Sequence, residues 1–183
     1  MSTDHFAKYI DHTLLKADAT SSQIKILCKE AIKYNFHSVC VNPIRVKESA
    51  NHLLNTTIQI CSVVGFPLGA NHTKIKLIEI ENCLLNGATE IDMVMNIGLF
   101  KDKKYNKVLN EIKQASNITA KHKIKIIIET GLLTKNEIIT ASSIVEDSGA
   151  DYIKTSTGYA GTSCKTEIIK LIRSNIKKNM HIK

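Results

Sequence analysis

The sequence predicts an α/β fold of the (β/α)8 barrel kind on three observations: short apolar strands recur, helical segments separate them, and the unusual polar residues gather just past the strands' carboxyl ends. Strands are expected at Ser38 to Val41, Ile58 to Val64, Glu90 to Met95, Lys123 to Ile128 and Asp151 to Lys154, with a shorter one at Tyr9 to Asp11 and another starting at His181. They recur at roughly 20- to 36-residue intervals, which suits crossover helices and is too long for hairpins.

Between the strands, apolar residues fall on one helical face. Thr20 to Gln23 reads as a capping box ahead of Ile24, Leu27, Cys28, Ala31 and Ile32. Thr134 to Glu137 repeats the box before Ile138, Ala141 and Val145, and further stripes run through Leu77, Ile80 and Leu84, through Val108, Ile112 and Ala115, and through Ile168, Leu171 and Ile172. Alternating strands and helices imply a parallel sheet. An open doubly wound sheet usually announces itself with a glycine-rich phosphate loop after its first strand; neither GxGxxG nor GxxxxGK[ST] occurs, which favours the barrel. Asn42-Pro43, Gly65 to Pro67, Asn96 to Gly98, Glu129 to Gly131 and Lys154 to Gly158 then converge on one face. Six strands and the first residues of a seventh are present, whereas a closed barrel has eight.

With 183 residues and 43% hydrophobic composition, residues 1–183 are read as a single barrel domain. The five cysteines, at 28, 40, 61, 83 and 164, show neither a CxxC pair nor metal-ligand spacing, so they are read as reduced thiols of a cytoplasmic protein. No signal-peptide pattern and no bilayer-spanning apolar run is seen, which argues against a membrane partner. The net charge of +8 is spread over scattered lysines without a nucleic-acid motif, so a solvated basic surface is preferred to nucleic-acid binding.

Lys154 ends an apolar strand, where its amine would project into the barrel mouth; an amine that burial or a neighbouring cation keeps neutral is a nucleophile, whereas an ordinary strand-end lysine snorkels to the rim. Asp92 shares a strand face with Glu90, Val94 and Asn96, and a carboxylate there needs a buried partner, functional or structural. Asp11 is a second strand-end acid, His12 beside it is as readily structural as proton-carrying, Glu129 could orient a lysine, and Cys40 reads as packing.

The segments YIDHTLLKADAT (9–20), SVCVNP (38–43), CSVVGFPLG (61–69), EIDMVMNIG (90–98), KIIIETGLLT (125–134) and ADYIKTSTGY (150–159) resemble the deoxyribose-phosphate aldolase family. The resemblance implies a class I aldolase of deoxyribonucleoside catabolism. It would reversibly cleave 2-deoxy-D-ribose 5-phosphate to acetaldehyde and D-glyceraldehyde 3-phosphate, with no metal or organic cofactor. It further implies Lys154 as Schiff-base former, Asp92 as proton relay with an ordered water, and Asp11, Thr13 and Cys40 around the substrate hydroxyls. Lys183 aligns with a second lysine on the seventh strand whose charge depresses the Schiff-base lysine's pKa. A phosphorylated sugar is the expected partner, with a homodimer as the candidate assembly. The family continues past this point with a Gly-Gly turn, a helix, an eighth strand and a serine loop that bind phosphate; Thr157 and Gly158 are the phosphate ligands left. The chain is accordingly read as C-terminally truncated, and a weakly stable, catalytically impaired remnant is the alternative expectation.

Overall fold

The computed structural model describes residues 6–161 and 165–183. Seven strands form one sheet in chain order: β1 (Asp11–Leu14), β2 (Ser38–Val41), β3 (Gln59–Val64), β4 (Glu90–Val94), β5 (Lys123–Ile127), β6 (Tyr152–Lys154) and β7 (His181–Ile182). The helices are α1 (Ser21–Tyr34), α2 (Val46–His52), α3 (Thr73–Leu85), α4 (Ile97–Lys101), α5 (Tyr105–Ile118), α6 (Lys135–Glu146) and α7 (Thr166–Ser174). This is the expected (β/α)8 topology through its seventh strand. Contacts divide the chain into two compact units, Met1–Val63 with Glu81–Ile91, and Val64–Ile80 with Asp92–Lys183.

In the first unit β1, β2 and β3 pair in parallel, Asp11 opposite Ser38 and Cys40 opposite Cys61. The first strand begins later than the expected Tyr9 to Asp11. Tyr9 and Ile10 N–H donate to the Phe6 and Ala7 carbonyls at 3.0 and 3.1 Å, a helical turn that occupies those residues and releases the chain to the sheet only at Asp11. The Thr20 box forms as read, with Thr20 N–H donating to the Gln23 side chain at 2.9 Å and Gln23 N–H to Thr20 Oγ1 at 3.4 Å. Helix α1 buries Ile24, Leu27, Cys28 and Ala31, whereas Ile32 is 46% exposed, one residue too far round the helix. Burial pushes the Cys28 thiol up to about 11, in keeping with an inert packing role. Cys40, Cys61 and Cys83 are also buried; Cys164 lies outside the described residues.

In the second unit β5, β6 and β7 continue the parallel ladder. Ile124, Ile126 and Ile153 point away from Lys125 and Lys154 and are fully buried, helix α5 packs on β5, and α6 packs on β6. Their apolar stripes, Val108, Ile112 and Ala115 and then Ile138, Ala141 and Val145, are buried as expected. The Thr134 box forms, Thr134 N–H donating to Glu137 Oε2 at 2.7 Å. Of the stripe expected on α7, Ile172 alone is buried.

Glycine is required where the turn after β3 meets the end of β4. Gly69 has φ +67, and a Cβ there would lie 2.1 Å from the Met95 carbonyl oxygen. Gly158 has φ +83 with nothing within 4 Å of an added Cβ. Gly69→Ala is therefore expected to lose more than about 2 kcal/mol in urea denaturation, from backbone strain plus the clash, and Gly158→Ala about 1 kcal/mol, from strain alone. Equal losses at the two positions would contradict this account.

Candidate active site

Strand alternation decides which side chains meet. Asp92 and Val94 share a face of β4, Lys125 and Ile127 a face of β5, Tyr152 and Lys154 a face of β6. The ladder sets Lys125 opposite Tyr152 and Ile127 opposite Lys154. Met95 N–H donates to the Ile127 carbonyl at 3.1 Å, which aligns β4 with β5 so that all three faces lie on the same side of the sheet.

On that side Asp92 lies between two lysines. Lys125 Nζ donates to its Oδ1 at 2.9 Å, and Lys154 Nζ donates to its Oδ2. The carboxylate is inaccessible and Lys125 nearly so, while 20% of the Lys154 side chain reaches solvent. Burial alone pushes the Asp92 carboxyl up; the charges of Lys125 and then Lys154, together with their hydrogen bonds, outweigh it and hold the group at about 2, below its ordinary 3.8.

Lys183 is the neighbour of Lys154 on the other side. Its N–H donates to the Ile153 carbonyl at 2.8 Å and its carbonyl accepts from Thr155 N–H at 3.0 Å. These two bonds bracket Lys154, so residues 154 and 183 are partners across the ladder, with side chains on one face. Thr157 lies in the turn after β6, where its N–H at 3.1 Å and its Oγ1 both donate to Glu129 Oε2. A pocket of about 230 Å³ opens beside this turn, walled by Leu68, Ile97, Glu129, Leu132, Thr157 and Tyr159.

Asp11, Thr13 and Cys40 fall in the first unit. Asp11 Oδ1 accepts from Ser38 Oγ at 2.9 Å, Thr13 Oγ1 donates to the Asp11 carbonyl at 2.8 Å, and Cys40 is wholly buried. His12 Nε2 lies 2.7 Å from Glu30 Oε2, a partner that favours its structural reading.

Two buried lysines escaped the sequence analysis. Lys125 is the second cation on Asp92; its signal was a lysine inside the apolar run KIKII, in phase with Ile127. Lys76 is fully buried on α3, where Nζ donates to Glu111 Oε1 at 2.7 Å and to the Val94 carbonyl at 2.9 Å. Burial lowers its pKa, and Glu111 opposes that shift. The stripe read at Leu77, Ile80 and Leu84 hid it: the inward positions are Lys76, Ile80 and Cys83.

Asp92→Asn leaves two lysines facing a neutral amide and is expected to destabilise the protein by about 3 kcal/mol at pH 7. Because folding depresses the Asp92 pKa, the carboxylate's contribution is complete above its unfolded value near 3.8 and is lost as pH falls towards about 2. Urea denaturation across that range should show the wild-type advantage shrinking with acid; a gap independent of pH would refute the assignment.

Comparison with known proteins agrees with this geometry. The family model for DeoC/LacD family aldolases matches residues 5–182. A deoxyribose-phosphate aldolase of Staphylococcus carnosus is 46% identical over 178 residues, 97% of this chain and 81% of that protein. Among solved structures, a tetrameric deoxyribose phosphate aldolase from Aeropyrum pernix superposes with a TM-score of 0.92 at 28% identity, covering 99% of this chain and 77% of that one. An aldolase designated QR15 gives 0.92 at 36% identity, covering 96% and 79% respectively. With a family model covering nearly the whole chain and a relative at almost half identity, the chain belongs to the DeoC/LacD family of aldolases.

Proposed function

We propose that this chain is a deoxyribose-phosphate aldolase acting through a Schiff base on Lys154, reversibly cleaving 2-deoxy-D-ribose 5-phosphate to D-glyceraldehyde 3-phosphate and acetaldehyde. The observation that carries the proposal is the sharing of one inaccessible carboxylate, Asp92, by Lys125 and Lys154.

Attack on an aldehyde requires a neutral amine. Two ammonium groups on one carboxylate repel each other, so the second proton is held less firmly than it would be on an isolated pair, and Lys183, the ladder partner of Lys154, would add a further cation on the same face. The amine that gives up its proton adds to the substrate C1 carbonyl; the carbinolamine hydroxyl takes that proton back, leaves as water, and an iminium remains. That iminium carries the same single positive charge as the ammonium it replaces. Asp92 therefore faces one positive charge on that nitrogen both before and after the step, and the buried site undergoes no net change of charge overall. The iminium then accepts the electron pair of the C2–C3 bond as the C3 hydroxyl loses its proton. D-glyceraldehyde 3-phosphate leaves, and an enamine remains to be protonated at carbon and hydrolysed to acetaldehyde. The proton transfers fall to Asp92, working through a water, and to the neighbouring lysines.

The same reading makes residues 1–183 part of one barrel domain in a cytoplasmic enzyme. It assigns Asp11, Thr13 and Cys40 to the substrate's hydroxyl groups and Thr157 and Gly158 to its phosphate, and takes a homodimer as the assembly. Among the described residues no helix is long and apolar enough to cross a membrane.

Borohydride reduction in the presence of acetaldehyde should add an ethyl group to Lys154, located by peptide mass analysis. Lys154→Ala should abolish the adduct. Lys125→Met, which removes the second cation, should slow trapping at pH 7 by about tenfold or more and move its pH optimum upward. Labelling at another lysine in place of Lys154 would overturn the proposal.

A further inference from the structure

Three unfavourable features coincide at Glu129. It is 2% exposed, its backbone is left-handed at φ 50 and ψ 67, and its Oε1 is buried without a hydrogen bond among the described residues. Non-glycine residues seldom adopt that backbone, and a buried carboxylate oxygen is seldom left unbonded. Such features persist where surrounding structure enforces them, and they concentrate at functional sites.

What they secure lies on the neighbouring strand. Ile128 N–H donates to the Lys154 carbonyl at 3.0 Å and Thr130 N–H to the Thr155 carbonyl at 2.8 Å. A regular parallel ladder advances two residues on both chains between successive bonds of this kind. Here one chain advances two and the other one, and the left-handed Glu129 absorbs the difference. That twist delivers its carboxylate to Thr157, whose N–H and Oγ1 both donate to Oε2, while Thr157 Oγ1 accepts from Tyr159 N–H at 3.0 Å. Backbone on one side and carboxylate on the other thus hold residues 154 to 159 as a unit.

We infer that Glu129 is a positioning residue for Lys154: it clasps the turn that follows the lysine and so holds the amine in line with Asp92. From its place in the sequence Glu129 could orient a lysine; the geometry routes that effect through Thr157. The inference rests on the aldolase reading for its catalytic consequence and not for its structural content.

Glu129→Gly separates the alternatives, because it relieves the left-handed backbone while removing the clasp. Positioning predicts that borohydride trapping of acetaldehyde on Lys154 slows about 10- to 100-fold without a matching fall in melting temperature. Glu129→Gln, whose amide oxygen still accepts both Thr157 donors, restores trapping to within about threefold of wild type by the same geometric argument. If the glycine variant fails to fold, Thr157→Val, which deletes only the Oγ1 donor, carries the same expectation. Wild-type trapping rates in Glu129→Gly, or in Thr157→Val, would overturn the inference.

A second measurement needs no turnover. In lysine labelled with 13C at Cε, the Lys154 resonance, identified by its loss in Lys154→Arg, should move in Glu129→Gly and return in Glu129→Gln. If wild-type protein traps no acetaldehyde, the aldolase reading fails and this resonance still decides the positioning claim: an unmoved signal overturns it, and a displaced one supports it.

Discussion

The structure of the second unit depends on a single buried carboxylate shared by two lysines. A lone ionised Asp92 at zero exposure would be prohibitively desolvated, and a lone lysine at 2% exposure would be too. Each is tolerable because of the others, so β4, β5 and β6 are tied in register by charge as well as by their ladders. Slipping one strand by a residue would turn its charged side chain to the apolar face occupied by Ile124, Ile126 and Ile153. The interaction on which the proposed chemistry rests also forbids that misregistration.

Strand β4 is held a second time just beyond Asp92. Lys76 reaches from α3 to the Val94 carbonyl and to Glu111 on α5, and Glu111 Oε2 also accepts from Thr73 Oγ1 at 2.8 Å. The close approach of Lys76 explains Gly65, where φ is +61 and a Cβ would lie 2.9 Å from the lysine Cε. Two buried ion pairs thus converge on one short strand, which suits a site whose donors must be in place before substrate arrives.

Features that depend on local chemistry were legible in the sequence. Both capping boxes need residues only three positions apart, and both form. Asp92 and Lys154 stood out because a charge in an apolar strand has no inexpensive resting place. What escaped required knowledge of neighbours. Lys125 looks like one more lysine in a lysine-rich chain until the ladder sets it level with Tyr152, one step below Lys154. Lys76 was concealed because isoleucines and leucines surround it on α3, and several of them, Ile75 and Ile78 included, are half exposed. The first strand was misplaced because β-prone Tyr9 and Ile10 are engaged in a helical turn. Lys183, aligned on only a few residues, does neighbour Lys154, a relation set by backbone bonds and not by local pattern.

The proposal that the nucleophile is Lys154 and not Lys125 is supported by access. Both lysines bond the same carboxylate, and charge alone does not choose between them. Lys125 lies two residues before Ile127, the partner of Lys154, and its side chain is 2% exposed against 20% for Lys154. On the proposed reading, an aldehyde arriving at the carboxyl ends of the strands meets Lys154 first, while Asp92 and the inner lysine lie behind it. In that proposal the inner ammonium places a second positive charge on the shared carboxylate without competing for the carbonyl carbon. That division, a reachable amine backed by an unreachable charge pair, comes from the two-residue rise of a strand: successive inward positions sit about 6.6 Å apart, enough to shelter one lysine behind the other.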